Sequence, residues 1–235
     1  MKKKIILIIF IIAAAFSVGL YLLYRTYFEP TGRTREVFEF LRDPDRHPEA
    51  RLTALSRCGD SPFSMPTDGL IGFLWGDSFR IGHRHQGIDI FAGTEAGRSP
   101  VYAAYDGYLT RLPDWKSSVI IRIPEDPLQP DRQIWTYYTH MADVDGRSFI
   151  DEAFPAGTED LFVTAGTLLG YQGNYSGTPG NPTGVHLHFS IIKDDGEGSF
   201  LNELEIRNTL DPSPYFGLAL NAKENASSIP TCTAP

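Results

Sequence analysis

The sequence predicts a loop-rich, mainly β protein. Its 235 residues include 22 glycines and 17 prolines, and aromatic residues account for 12% of the chain. Short apolar runs are separated by turn residues, whereas long amphipathic helical repeats are absent. After an apolar N-terminal segment is set aside, roughly 200 residues remain, which is enough for one domain with a buried core.

Residues 1–28 are predicted to form a membrane anchor. Lysines at positions 2–4 precede an uncharged run over residues 5–24, and about 20 apolar residues can span a bilayer as a helix. The lysines should stay in the cytoplasm, so the rest of the chain should lie outside it. A cleaved signal peptide is the alternative, with alanines at 13–15, although the apolar run is longer than a usual signal core. Both interpretations export the domain.

The remaining chain divides into three parts by composition. Residues 29–60 are predicted to be a stalk or linker with one short helix over residues 33–42, which the pair Asp43-Pro44 should end. Residues 61–219 are predicted to form the folded domain. Residues 220–235 are predicted to form a weakly ordered tail.

Within the domain, strands or hairpins are predicted over residues 70–76, 101–109, 119–123, 133–140, 161–170 and 185–192. Residues 101–109 should form a hairpin, because Asp106-Gly107 is a turn signal. In the 133–140 strand, alternation places His140 on the same face as Ile134 and Tyr138. Residues 142–160 and 170–184 are predicted to be long loops, and the second lacks the ending of a phosphate-binding loop.

The charge of the chain excludes one class of partner. The net charge is −8 at pH 7, and nucleic-acid binding requires a basic face. An anionic polymer would likewise not be captured by bulk charge, so such a substrate would need local recognition.

The two cysteines, Cys58 and Cys232, bear on the compartment. Neither belongs to a Cys-x-x-Cys pair, which disfavours a thiolate zinc site or a redox motif. In an exported protein they can form a disulfide, which would tie the C-terminal tail to the start of the domain. The alternative is two unpaired thiols.

Two histidine motifs predict a metal site. His85 and Asp89 lie four residues apart, and His186 and His188 lie two apart, so on strands each pair shares one face. Three of these four side chains would supply two imidazoles and a carboxylate, with one coordination position left for water. That composition is typical of a catalytic zinc site, since structural zinc sites are closed by protein ligands. The fourth group would remain free to move protons, and His140 lies between the two motifs in the chain.

Together with their neighbours, these motifs resemble the LytM/lysostaphin-type zinc metallopeptidases. The resemblance covers roughly residues 68–216, with the motifs in the family's order. The matching stretches are Gly-His-Arg-His-Gln-Gly-Ile-Asp-Ile at 82–90, Pro-Val-Tyr-Ala at 100–103 with Asp-Gly at 106–107, Tyr-Thr-His-Met at 138–141, Ala-Gly-Thr-Leu-Leu-Gly-Tyr at 165–171, Gly-Val-His-Leu-His-Phe at 184–189 and Leu-Asp-Pro-Ser-Pro-Tyr at 210–215. A lone His-x-His motif is a weak signal, but the ordered set is specific.

The resemblance implies both a site and a fold. It makes His85, Asp89 and His188 the ligands of one Zn²⁺ per chain. It makes His186 a catalytic base or proton carrier, and His140 the second catalytic histidine, which polarises the substrate or holds the oxyanion. The implied fold is a compact, mostly antiparallel β-sheet domain with an open groove, here preceded by one N-terminal transmembrane helix.

The resemblance and the exported topology together imply a membrane-anchored zinc endopeptidase that cuts peptides of bacterial peptidoglycan, in a stem peptide or a cross-bridge. A regulatory envelope protein is a further expected partner. The alternative is a non-enzymatic module that binds cell wall or regulates an envelope complex, because some relatives have lost ligands. His83 is not expected to bind the metal, because the family's ligand is the histidine that precedes Gly-Ile-Asp.

Overall fold

A computed structural model describes residues 6, 10, 13–14, 16–21, 32–78 and 82–232. Among these residues, no helix combines the length and the apolar character that crossing a bilayer requires. Most of the predicted anchor, residues 1–28, lies outside the described residues, so the anchor stays a prediction.

Antiparallel strand pairing dominates the fold, as the sequence predicts. Within the described residues a nine-stranded sheet has the order β1-β2-β10-β6-β5-β4-β7, with β9 and β11 also paired to β10, and β3 and β8 form a separate two-stranded sheet. The strands are β1 Leu70–Phe73, β2 Ile88–Phe91, β3 Pro100–Tyr102, β4 Gly107–Thr110, β5 Val119–Ile123, β6 Ile134–Thr139, β7 Leu161–Val163, β8 Leu168–Tyr171, β9 Gly173–Tyr175, β10 Pro182–Lys193 and β11 Thr209–Leu210. Residues 32–232 include the helices α1 Gly32–Arg42 and α2 Ser213–Phe216, with 3₁₀ turns at Pro44–Arg46, Pro48–Ala50 and Ile206–Asn208.

Strand β10 organises the molecule. It pairs with β2 on one side and β6 on the other, both antiparallel. Leu187, Phe189 and Ile191 are buried in the main hydrophobic core. Because side chains alternate along a strand, His186 and His188 point to the opposite face. The strand therefore carries the core on one face and the histidine motif on the other.

The hairpin predicted over residues 101–109 is wrong. Strand β3 pairs with β8 in the small sheet, whereas β4 pairs with β5 and β7 in the large one. The connection between them turns through Ala103 and Ala104, which are fully buried, and the Ala104 N–H donates to the Tyr138 hydroxyl. Asp106 accepts a hydrogen bond from the Ala165 N–H, so its side chain stabilises a neighbouring loop. Buried contacts at the corner thus outweigh the local turn signal.

Residues 32–60, which belong to the range 29–60 predicted to be a stalk or linker with a short helix, lie against the domain. Val37 and Phe40 of α1 are buried together with Leu70 and Phe91 of the sheet. Further along, Leu52 is buried in the main core. Val37 and Phe40 are three residues apart in α1 and so share one face of the helix. This face is apolar, and packing it on the sheet removes it from water.

Residues 220–232 of the predicted tail 220–235 also contact the domain. Leu220 is fully buried, and its carbonyl accepts the N–H of Trp75. Cys58 and Cys232 form a disulfide with their Cα atoms 5.3 Å apart, which confirms the predicted pairing. The bond joins residues 174 positions apart and holds the end of the described chain on the start of the domain.

Candidate metal centre

Neighbouring strands bring the two sequence motifs together. Asp89 lies on β2, and His188 lies directly opposite it on β10 in the antiparallel register. His85 lies in the segment that enters β2. The glycine between the two ligands of this motif is required by packing, because a Cβ at Gly87 would overlap the carbonyl oxygen of Phe189. The close approach of β2 to β10 at Gly87 therefore explains why this position has no side chain.

Three donor atoms converge at one point. Nδ1 of His188 lies 2.8 Å from Oδ1 of Asp89. Nε2 of His85 lies 3.0 Å from that same oxygen and 3.0 Å from Nδ1 of His188. These three residues form a group that could hold a metal ion. Two imidazole nitrogens and one carboxylate oxygen suit zinc, and three protein ligands leave a coordination position open.

A backbone carbonyl orients His85. Its Nδ1 lies 3.0 Å from the carbonyl oxygen of Leu74. Because a carbonyl can only accept, Nδ1 must carry the proton and Nε2 presents its lone pair to Asp89 and His188. This arrangement of one ring nitrogen on a carbonyl and the other at the metal is common for metal-binding histidines. His85 is only 4% exposed.

The two remaining histidines are oriented in the same way. Nδ1 of His186 donates to the Gly184 carbonyl at 2.7 Å, and Nδ1 of His140 donates to the Tyr175 carbonyl at 2.7 Å. Each ring therefore keeps Nε2 for the site. Nε2 of His186 lies 3.6 Å from Oδ1 of Asp89. The rings of His140 and His186 have centroids 4.5 Å apart, so both stand beside the three-donor group.

His140 reaches the site by breaking the alternation of its strand. Alternation predicts that it shares the core face of Tyr138, but His140 lies just beyond the end of β6 and has a φ of 73°. This left-handed conformation is uncommon for a residue with a Cβ and is found at functional sites. Strand β9 approaches this residue closely, since a Cβ at Gly173 would overlap the His140 carbonyl oxygen. The prediction that His140 shares a face with Tyr138 is therefore wrong, although the His140 ring does lie beside the three-donor group.

The charges of the group are strongly coupled. Burial alone would raise the pKa of Asp89, but the neighbouring His85 and His186 rings and the hydrogen bond from His188 hold it well below its usual range. Burial opposes protonation of His85, yet the Asp89 carboxylate outweighs this effect and raises the His85 pKa. The Asp89 carboxylate therefore stays charged, as a metal ligand must.

For His188 and His186, by contrast, burial outweighs the attraction of the Asp89 carboxylate and lowers the pKa. It lowers the pKa of His188 despite the bond to Asp89. It lowers the pKa of His186 to about 4, and the neighbouring His140 and His188 act in the same direction. Both rings are therefore neutral near pH 7. A neutral His188 can bind a metal, and a neutral His186 can accept a proton through Nε2.

The group opens into a cleft of about 440 Å³. One wall carries linked hydroxyl groups: Tyr137 donates to Ser118 Oγ at 2.9 Å, and Ser118 is 2.7 Å from the Thr139 hydroxyl. Glu203 and Leu204 also line the cleft. His83 lines the cleft but is not a member of the three-residue group.

Sequence reasoning missed the backbone carbonyls and the hydroxyl wall. The carbonyls of Leu74, Tyr175 and Gly184 orient three histidines, but a carbonyl occurs at every residue and leaves no mark in the sequence. The sequence does contain a pattern from which the hydroxyl wall could be predicted. Tyr137 and Thr139 lie on the opposite face of β6 from the buried Tyr138, and alternation assigns them to the site's side of the sheet.

Comparison with known proteins gives structural neighbours and no sequence relatives. No protein-family model and no curated protein matches the chain. The solution structure of lysostaphin matches with 24% identity and a TM-score of 0.40, covering 63% of this chain and 49% of that one. The catalytic domain of the prophage-encoded protein EnpA from Enterococcus faecalis matches with 23% identity and a TM-score of 0.37, covering 63% and 95%. The LytM protein from Ruminococcus gnavus matches with 23% identity and a TM-score of 0.37, covering 63% and 59%.

These neighbours carry the names of the family that the sequence motifs resemble, and the chain is similar to them. The chain spans about half the length of lysostaphin. Identities below 25% and TM-scores below 0.5 do not by themselves assign an activity. Any functional assignment therefore depends on the geometry of the site.

Proposed function

We propose that this chain is an exported, membrane-anchored zinc endopeptidase that hydrolyses peptide bonds of bacterial peptidoglycan. One observation carries the proposal: Nε2 of His85, Oδ1 of Asp89 and Nδ1 of His188 converge within 3.0 Å of one another, with two further histidines beside them. A structural metal site has no need of nearby histidines that do not bind the ion. Hydrolysis needs such groups to move protons.

The chemistry divides between the ion and the protein. A zinc ion held by His85, Asp89 and His188 would lower the pKa of a water molecule toward neutrality and polarise a peptide carbonyl. Nε2 of His186 lies 3.6 Å from Oδ1 of Asp89, so it is placed to accept the proton that the attacking water loses. The Gly184 carbonyl holds its ring in the tautomer that this role requires.

His140 complements this role from the other side of the site. Its Nδ1–H is committed to the Tyr175 carbonyl, so a neutral ring offers a lone pair at Nε2. Once protonated, the same Nε2 becomes a donor that can hold the developing oxyanion or pass a proton to the leaving amine. Its position 4.5 Å from the His186 ring suits either step.

The substrate class rests on the motif resemblance and the exported topology. Peptidoglycan presents flexible peptides outside the cytoplasm, and the open cleft suits an extended peptide. The hydroxyl wall of Tyr137, Ser118 and Thr139 offers hydrogen bonds to a peptide backbone. Membrane attachment through residues 1–28 would keep the site near the wall that it acts on.

The test is digestion of purified sacculi. The full-length protein in detergent, with stoichiometric zinc, is incubated with sacculi beside its His85→Ala variant, and released fragments are identified by mass spectrometry. New peptide ends found only with the intact site would support the proposal and identify the bond. A zinc-loaded protein that releases nothing would contradict the proposed substrate, and a protein that binds no zinc would favour a non-enzymatic module.

A further inference from the structure

Arg33 of α1 is a buried cation outside the region that resembles the peptidase family. It is 7% exposed and makes hydrogen bonds to three separate parts of the chain. Its Nε donates to the Gly72 carbonyl at 3.0 Å, and its Nη1 donates to the Asn225 carbonyl at 2.8 Å. Its Nη2 donates to both carboxylate oxygens of Asp77, at 2.6 and 2.7 Å. Such a charge is not needed to dock a helix that already buries Val37 and Phe40.

The partner carboxylate of Arg33 shapes the loop that follows β1. Oδ2 of Asp77 accepts the Leu74 N–H at 2.6 Å, and the Asp77 N–H donates to the Leu74 carbonyl at 3.1 Å. The carboxylate therefore closes the segment 74–77 into a compact turn. The bond to the Arg33 guanidinium holds this carboxylate in place.

Three hydrogen bonds join this turn to the metal ligand His85. The His85 N–H donates to the Asp77 carbonyl at 2.8 Å, and the Gly76 N–H donates to the His85 carbonyl at 2.8 Å. The ring Nδ1–H donates to the Leu74 carbonyl at 3.0 Å. Backbone position, ring orientation and tautomer of His85 are thus all set by a turn that Asp77 stabilises.

We propose that Arg33 is a positioning residue for the metal ligand His85, acting through Asp77 and the turn at 74–77. This inference rests on the proposed metal centre. It makes metal affinity depend on α1, a helix that precedes the region of family resemblance. Partners that orient metal ligands typically change metal affinity by about 10–100-fold when they are removed.

The experiment measures zinc affinity of the full-length protein in detergent by competition with a chromophoric chelator. Arg33→Met should weaken zinc binding at least tenfold. Arg33→Lys should lie between it and the unchanged protein, because one ammonium group cannot reach the Asp77 carboxylate and the Gly72 and Asn225 carbonyls together. Arg35→Met is the control on the same helix, since Arg35 is an exposed residue paired with Glu39. It should change zinc affinity less than twofold.

A second control separates positioning from general loosening of the helix. Val37→Ala weakens the packing of α1 without touching Arg33 or Asp77, so it should lower the unfolding temperature and leave zinc affinity within twofold. The ¹⁵N shifts of the His85 ring, recorded after chelation of the metal, provide a readout that needs no zinc. At a pH high enough to keep the ring neutral, they should report a single Nδ1–H tautomer in the unchanged protein and a mixture in Arg33→Met.

Folded Arg33 variants with unchanged zinc affinity and an unchanged His85 tautomer would overturn the inference. A loss of affinity in Val37→Ala as large as in Arg33→Met would also overturn it, because the effect would then be general. If Arg33→Met does not fold, Arg33→Lys and Asp77→Asn decide by the same two measurements. A wild-type protein that binds no zinc would instead refute the metal centre, which distinguishes that failure from this one.

Discussion

At the scale of single residues, the structure separates three side chains that could hold a metal ion from two histidines that stand beside them. His188 contributes Nδ1 to the three-donor group, whereas His140 contributes no atom to it and is oriented by the Tyr175 carbonyl. The two rings stand close together, with centroids 6.2 Å apart. Proximity alone therefore does not decide which role a histidine has.

We expect His140→Ala and His188→Ala to have different effects. His188→Ala should abolish zinc binding, because it removes a ligand. His140→Ala should retain stoichiometric zinc and lower the rate of peptide hydrolysis by about a hundredfold or more, the usual effect of losing a proton-transfer group or an oxyanion donor. Metal content by elemental analysis and the initial rate on a peptide substrate measure the two effects. Full activity in His140→Ala would refute the assigned role.

Burial of His186 predicts the response of the metal-free protein to acid. Its pKa is about 4 in the folded protein, below its ordinary value of 6.5. Between these values the unfolded chain binds more protons, so stability falls as pH decreases from about 6.5 to about 4. The loss attributable to this residue is at most about 3 kcal/mol. Chelator-treated protein unfolded in urea at several pH values provides the measurement.

A variant isolates the contribution of His186 from that of its neighbours. The raised pKa of His85 acts in the opposite sense, since it stabilises the folded state below pH 6.5 and this stability is lost as pH rises through the folded value. In His186→Gln the acid-dependent loss of stability should become clearly smaller. An identical pH profile in the two proteins would contradict the predicted neutral state of the buried ring.

At the scale of elements, α1 behaves as an integral part of the domain. Its residues Val37 and Phe40 pack with Leu70 and Phe91, and the neighbouring Phe38 is 55% exposed. The helix therefore offers two phenylalanines two residues apart, one packed and one in solvent.

The contrast between these phenylalanines is testable. Phe40→Ala should destabilise the protein by about 3 kcal/mol, because it removes a fully buried ring and leaves a cavity. Phe38→Ala should change stability by less than about 0.5 kcal/mol. Urea unfolding measures both. Equal, small effects would mean that residues 32–42 are only loosely attached, as the predicted stalk would require.

At the scale of the whole molecule, the disulfide joins the two ends of the described fold. Cys58 lies in the main core, with Cys232 packed against it, and the bond spans 174 positions. A cross-link over so long a segment restricts the unfolded chain strongly. The three-donor group lies on the opposite face of β10 from this core.

Breaking the bond should lower stability by about 2–5 kcal/mol. Cys58→Ala, Cys232→Ala and the double variant should be about equally destabilised, because either change alone removes the bond. Thermal unfolding with and without a reductant measures the effect. A reductant that leaves the unfolding temperature of the wild-type protein unchanged would contradict this prediction.

The sequence by itself determined the β class, the ranges of several strands and the residues of the candidate site. Residues 119–123 form β5 as predicted, and apolar alternation identified β6 and β10. These features are local, because the period of side-chain alternation is set by the backbone of one strand. The paired histidine and carboxylate spacings depend on the same period.

Tertiary structure decided what local periodicity cannot encode. It decided that β3 leaves the predicted hairpin to pair with β8, that α1 and the C-terminal segment pack on the domain, and that His140 turns away from the face of Tyr138. Each outcome depends on contacts between residues far apart in the chain, such as Ala104 with Tyr138 or Arg33 with Asp77. A pattern read along the chain specifies which face of an element is apolar, but only packing selects the surface that covers it.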